Sequence, residues 1–510
     1  MIELPFLSLP LWLLVFSAIF CILFWAHPKT QQIIAIAGTS LYLVSSILLT
    51  ITVYQSGIQA VQVGSWPAPF GITLVADLFS AIMINISAIT AFALVFYSIQ
   101  DLSQDRKANG FYPLFLFLLF GVTGSFLAGD VFNLYVWFEV MLVSSFVLIS
   151  LGNTKSQLEG SVKYVILNFI SSGFFLTGVG ILYKATGSLN MADLALIVRG
   201  HEESYLITLA AVFFFMSFGI KAAVFPMFSW LPASYHTPPI SISGLMAGLL
   251  TKVGVYALIR FFSLIFVHDI DITHTVLLYV AGFTMLTGVL GAMAQNDFRK
   301  ILSFHIISQI GYMVMGLALF TPLAIAGAIF FIINNMMVKT NLFLISGVVK
   351  AAKGQYLLKK LGGVYGKFPL ITVLFVISAF SLAGVPPLSG FWGKFMLAKA
   401  GLEIGEYVIV GVSLLAGLFT LFSMTKIWDG VFWGKDPDEN YRPDYVEQGK
   451  NGNEMQQLFK AKYLMILPII FIAAIVLVFS FHAEFIVNLC MMAGEQLLNP
   501  EGYIQAVLKR

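Results

Sequence analysis

The sequence predicts an all-α polytopic membrane protein of about fourteen transmembrane helices. Three observations predict it. Hydrophobic residues make up 59% of the 510 residues and charged residues only 10%, against about 25% charged in an ordinary soluble domain. Mean hydropathy is +0.91. Fourteen stretches each approach the roughly 20 mainly apolar residues that a spanning helix needs. They are 4–26, 31–54, 71–99, 111–128, 130–151, 160–184, 205–232, 239–266, 274–294, 299–319, 322–349, 369–399, 404–428 and 463–487.

The first stretch lacks a basic region before it, so it reads as a retained helix and not a cleaved signal. The spans 31–54 and 71–99 complete an N-terminal group within 1–110. Between spans, lysine and arginine set the orientation. With the N-terminus outside, the inner loops hold 18 of the 28 basic residues and the outer loops hold 6, Arg260 among them. An even helix count then puts the C-terminus outside too. The polar stretch Asp436 to Lys462 is the longest interruption, and Gly494 to Arg510 is expected along the membrane surface.

Four basic residues fit neither side: Lys221, Lys252, Lys339 and Lys394 each fall inside an apolar span. One acid, Glu139, is read the same way, nine residues after Asp130 in DVFNLYVWFEVMLVSSF. Charge at mid-bilayer costs roughly 2.5–3.5 kcal/mol per residue on insertion scales, so these groups are read as proton carriers. Glu139 and Lys221 together would keep each other charged. Moving them apart would leave a buried ammonium unbalanced and release its proton. The plain alternative is a static ion pair joining helices 5 and 7. Lys394 could instead snorkel to a helix end, and Lys252, with Tyr256 and Arg260 on the same face, could reach outward. His305, near Ser303, Ser308 and Gln309, is either a relay or a neutral packing histidine. Asp130 reads as an N-terminal helix charge.

Proline marks two broken spans. Helix 7 carries Lys221, then Pro226 and Pro232; helix 12 carries Pro386 and Pro387, then Lys394. An odd offset of five helices puts the two units in opposite orientations, as in inverted repeats with the site at the breaks. The repeats would be helices 4–8 (111–268) and 9–13 (269–432), with 433–510 holding a loop, helix 14 and a C-terminal segment. Pro226, Pro386, Pro387 and His236, which lies in the loop after helix 7, are gating candidates; His236 can equally be a solvated loop residue.

Other classes are excluded. Cys21 and Cys490 give no CxxC, iron–sulfur or zinc spacing, so no metal or cofactor is expected. There is no phosphate loop and no long soluble segment for a nucleotide-binding domain. No basic aromatic surface suggests nucleic acid.

Four segments resemble the antiporter-like subunits shared by Mrp-type multisubunit cation/proton antiporters and respiratory complex I. They are DVFNLYVWFEVMLVSSF, GIKAAVFPMFSWLPASYHTPP, DFRKILSFHIISQIGYMVMG followed by Lys339, and LAGVPPLSGFWGKF. The likeness covers about residues 70–430, and the wording is most similar to the D-type branch. It implies fourteen helices in two inverted five-helix repeats. It implies that Glu139 and Lys221 form a switching pair, that Lys252 and Lys339 link the halves, and that Lys394 serves the second half. The implied partners are other membrane subunits of a complex, with H⁺ and Na⁺ as transported ions, in a prokaryotic plasma membrane. A redox-driven pump of the complex I type is the other member of the same group. The chain departs from many relatives in helix 11, where Asn334 and Asn335 stand in place of histidine; asparagine holds water but does not titrate.

Overall fold

The computed structural model describes residues 6–200, 204–435 and 463–509. The polar stretch 436–462, with Arg442, Lys450, Lys460 and Lys462, lies outside the described residues, as do His201 and Arg510. Among the described residues, eleven helices are long and apolar enough to cross a membrane, or twelve if one bent pair is a single span. Fourteen is not reached by that measure. Every expected span meets a helix, but Phe111–Leu127 has 17 residues and the 369–399 span divides into two helices of 15. At 1.5 Å per residue these fall short of the hydrocarbon thickness.

The chain begins with Leu9–Leu23 and Pro28–Ser56, then turns back through a two-stranded antiparallel hairpin, Gln59–Gln62 with Thr73–Ala76. The expected span at 71 therefore starts late, at Leu78. Asp77 fixes that start: its carboxylate accepts from Ser80 N at 2.9 Å while Ser80 Oγ accepts from Asp77 N at 2.9 Å, a reciprocal cap. Leu78–Asp101, Phe111–Leu127, Val131–Ser150 and Lys155–Thr186 follow.

Tyr205–Ala222 carries Lys221 and stops where Ala223 turns left-handed at φ +61°. Pro226, which has no N–H to donate, lies in the non-helical stretch before Trp230–Ser234. Ile240–Leu264 carries Lys252 and contains a π-helical turn at Met246–Leu250. Ile270–Ala294, Phe298–Leu319 and the 32-residue Pro322–Lys353 come next. Pro369–Ala383 then breaks at Gly384, and Ser389–Glu403 resumes after Pro386 and Pro387. Tyr407–Trp433 completes this part.

At the C-terminus the expected span 463–487 is not one straight helix. Ile466–Phe481 and Ala483–Leu498 meet at an 83° bend. The second helix packs against Pro322–Lys353, and Gln496 Oε1 accepts from Leu78 N at 3.1 Å. Glu501–Leu508 buries Tyr503, Ile504 and Val507. This segment is a strap against the bundle.

Burial divides the helices. Every residue of the Ile240–Leu264 span is buried, as are nearly all of Phe298–Leu319 and Pro322–Lys353. Pro28–Ser56, Lys155–Thr186, Ile270–Ala294 and Tyr407–Trp433 show large side chains such as Leu41, Phe169, Tyr279 and Leu418 on their outer faces. Helices apolar all round sit in the centre or face lipid. The helices bearing Lys252, His305 and Lys339 are the central ones.

Candidate functional site

Lys221 is the penultimate residue of its half-helix, so it sits among carbonyls that have no helical partner. It is 4% exposed, and its Nζ has no hydrogen-bond partner. Nζ stands 5.1 Å from the centroid of the Phe138 ring. The next residue, Glu139, is half-buried, with Oε1 unpartnered. Glu139 is the charge that acts on Lys221, yet the two make no ion pair within 4.0 Å. The structure thus brings the expected pair to facing helices in an open arrangement.

Lys252 is fully buried. Its Nζ donates to Ala247 O at 2.6 Å, inside the π-helical turn. Such turns are rare and cluster at functional sites. It does not reach outward. Tyr256 donates to Phe126 O at 2.7 Å, and Arg260 donates to Tyr256 at 3.0 Å and pairs with Asp77 at 2.6 Å. Arg260, expected among the outer-loop charges, is a buried ion-pair member between aromatic rings. Asp77 is a further buried acid within the expected spans, hidden because the 71–99 stretch reads as one helix.

Lys339 is also fully buried, with Nζ 3.4 Å from Leu302 O. The charges acting on it are Lys252 and Lys394, and those acting on His305 are Lys339 and Lys394. His305 Nε2 lies 2.6 Å from Ser423 Oγ, and Nδ1 has no partner. Lys394 Nζ donates to Ala383 O at 2.9 Å, the last carbonyl of the preceding half-helix, and lies 4.6 Å from the Tyr312 ring centroid. It is turned into the break and does not snorkel. A half-helix C-terminus favours a cation.

Neutral polar groups lie on the helices that bear Lys339 and Lys394. Asn334 Oδ1 accepts from Ser381 and Ser389 at 2.8 and 2.7 Å. Asn335 is buried with both amide atoms unpartnered. A buried, unsatisfied amide is a place for ordered water. Sequence reasoning missed a polar stripe on Lys155–Thr186: Tyr164 meets Ser145 at 2.6 Å, Asn168 donates to Tyr164 O at 2.8 Å and Ser171 donates to Ser217 O at 2.9 Å. Its signal is small polar residues spaced by three and four in an apolar helix.

Pro226 lies in the first break, and Pro386 and Pro387 in the second. His236 is half-buried in the loop 235–239, its Nδ1 2.8 Å from Pro232 O. Burial, with Arg299 and Lys300 nearby, holds its ring below the usual histidine range. Among the described residues no group of three His, Cys, Asp or Glu side chains can hold a metal ion. What the arrangement can do is hold protons on four amines, Lys221, Lys252, Lys339 and Lys394, set among hydroxyls, amides and one imidazole.

Known proteins share this sequence and fold. Residues 128–420 match the family model described as NADH:quinone oxidoreductase/Mrp antiporter, transmembrane. The chain is 46% identical over 490 residues to the D subunit of the Na⁺/H⁺ antiporter of Alkalihalophilus pseudofirmus, covering 96% of each chain. It is 40% identical over 504 residues to the corresponding D subunit of Bacillus subtilis, covering 99% of each. Among solved structures it superposes on a chain of the Mrp complex from a Dietzia species with TM-score 0.90 and 28% identity, covering 99% of both. An archaeal membrane-bound sulfane sulfur reductase shares the fold, with TM-score 0.84 at 24% identity over 98% of this chain and 99% of that one. The chain belongs to the NADH:quinone oxidoreductase/Mrp antiporter transmembrane family.

Proposed function

We propose that this chain is the D-type, proton-translocating subunit of a multisubunit Na⁺/H⁺ antiporter in a bacterial plasma membrane. It is a transporter subunit and not an enzyme. The observation that carries the reading is Lys221: an unpartnered amine, buried at the end of a half-helix, within reach of the Glu139 charge. Approach of Glu139 stabilises the charged amine. Separation leaves it without balance in a low-dielectric setting, so its proton moves on. Lys252, Lys339 and Lys394, with His305, carry it along the buried centre. Entry of protons down the electrochemical gradient drives Na⁺ out, at about 2.3 kcal/mol per charge per 100 mV.

In this proposal both termini lie outside, which the distribution of lysine and arginine supports. Residues 111–268 and 269–432 form the inverted repeats, which the paired breaks at Pro226 and at Pro386–Pro387 support. Amines do not suit Na⁺, so its path runs in a partner subunit or at an interface with one. Lipid surrounds the apolar outer faces.

A second reading has specific support in the shared family model and in the fold of the sulfane sulfur reductase: the same buried machinery driven by redox partners. Everted vesicles from a host lacking its own antiporters, expressing this chain with its operon neighbours, separate the two. A preformed pH gradient that collapses on adding Na⁺ is expected. No collapse with an assembled complex would favour the redox-driven reading. Iron–sulfur and flavin subunits among the neighbours would do the same.

A further inference from the structure

We propose that Arg299 is a specificity-determining residue, whose fixed guanidinium, together with Lys300, excludes metal cations where the proton route opens at the loop 235–239. The inference rests on the proton-route reading above, takes the His236 loop after the Lys221 half-helix as the mouth of that route, and adds what keeps Na⁺ off it.

The loop joins the continuation of the Lys221 helix to the Lys252 helix. Arg299 reaches it from the start of Phe298–Leu319. Its Nη1 donates to Pro238 O at 3.2 Å, and its Cζ lies 3.8 Å from the centroid of the Tyr356 ring. Tyr356 is itself tied back, since its carbonyl accepts from Phe298 N at 3.0 Å. A guanidinium held by a stack and a carbonyl is a fixed charge and not a mobile surface one. Lys350 Nζ stands 5.2 Å from the same ring.

Three acids lie in this region, and all are engaged elsewhere: Glu159, within reach of the His236 charge, pairs with Lys163 at 2.5 Å. Asp297 accepts from Lys300 N at 3.1 Å, and Asp101 accepts from Ser241 N at 2.8 Å and Ser241 Oγ at 2.7 Å. None of the three makes an ion pair with Arg299, Lys300 or Lys350 within 4.0 Å. The cations are therefore not neutralised by direct pairing. Two polar groups behind the loop are neutral: Tyr235 is buried with its hydroxyl unpartnered, and Tyr164 meets Ser145 at 2.6 Å.

Fixed positive charge repels a proton and a sodium ion equally. What separates them is the acceptor. The Nδ1–H of His236 is assigned as donor to Pro232 O, 2.8 Å away, which leaves Nε2 able to form a covalent N–H bond with an arriving proton. A sodium ion must instead exchange its water for several oxygens, and the carboxylates near the loop are already held, Asp297 and Asp101 by backbone and hydroxyl donors and Glu159 by Lys163. Repulsion without a compensating ligand rejects the metal ion; repulsion with a covalent acceptor still admits the proton.

The test uses the assembled complex in de-energised vesicles and reads downhill ²²Na⁺ entry, which needs no antiport. Arg299→Gln should raise entry at least several-fold over wild type, and Arg299→Lys, which keeps the charge but not the stacked fork, should raise it less. A loss of packing alone would lower assembly without admitting ²²Na⁺. If Arg299→Gln does not assemble, Lys300→Gln carries the test, with a smaller rise expected. Entry at the wild-type level in the assembled glutamine variants overturns the proposal. A wild type without Na⁺-dependent collapse of the pH gradient would count against the antiporter reading, while ²²Na⁺ entry would still decide the role of Arg299.

Discussion

The Asp77–Arg260 pair gives the sharpest energetic prediction. The two side chains are 3% and 6% exposed and 2.6 Å apart. Removing one member strands the other's charge, which costs about 3–5 kcal/mol. Asp77 also caps Leu78–Asp101 through Ser80 N, worth about 1 kcal/mol. Asp77→Ala should therefore destabilise by about 4–6 kcal/mol, a large share of the roughly 5–15 kcal/mol that holds a fold together. The double variant Asp77→Asn, Arg260→Met removes both charges, keeps a capping side chain and fills the space between Phe79, Tyr256 and Tyr503. It should lie far closer to wild type, within about 2 kcal/mol. The assay is the fraction of complex that stays monodisperse after heating in detergent, read by size exclusion across both single variants and the double. A double variant as unstable as the sum of its singles would show that a stranded charge is not the source of the loss.

Three further outcomes follow from the geometry. Asn335→Leu removes a buried amide with no protein partner, together with the water it would hold, so the complex should keep at least wild-type stability yet transport protons more slowly; thermal stability and Na⁺-driven collapse of the pH gradient, measured side by side, check both. A Cβ at Gly288 would lie 2.3 Å from Ser308 N, so Gly288→Val should force apart Ile270–Ala294 and Phe298–Leu319 and cost about 1–3 kcal/mol or more, read as loss of the subunit from the membrane. His236 and His268 are held below the usual histidine range, chiefly by burial. The unfolded chain then binds more protons near its pKa of about 6.5, so stability should be fully present above that pH and fall below it; His236→Gln should flatten the decline in a pH series of melting curves.

Hydropathy made the spans legible because each apolar stretch must satisfy its own backbone in lipid. Proline made both breaks legible, and mid-span lysines stood out because charge is scarce there. What stayed hidden depends on contacts distant in sequence. Asp77 and Arg260 are separated by most of the first half of the chain and looked like two unrelated polar residues. The 83° bend at His482 comes with no proline or glycine at the join, so the stretch 463–487 reads as one continuous helix. The π-helical turn around Ala247 has no sequence mark of its own. Residues 73–76 are an apolar strand that runs into an apolar helix, and period alone does not divide them. Glu139 and Lys221 were legible as a pair. Their separation, and the turn of Lys394 towards Ala383, were not.

If buried amines carry the proton, with Lys221 as the switching member, transport must fail when that amine is removed. Na⁺-driven collapse of the pH gradient in everted vesicles, compared between wild type and Lys221→Ala at matched amounts of assembled complex, tests this without further assumptions. Collapse is expected in wild type, and none above background in the variant. Collapse at the wild-type rate in Lys221→Ala would contradict the role assigned to Lys221.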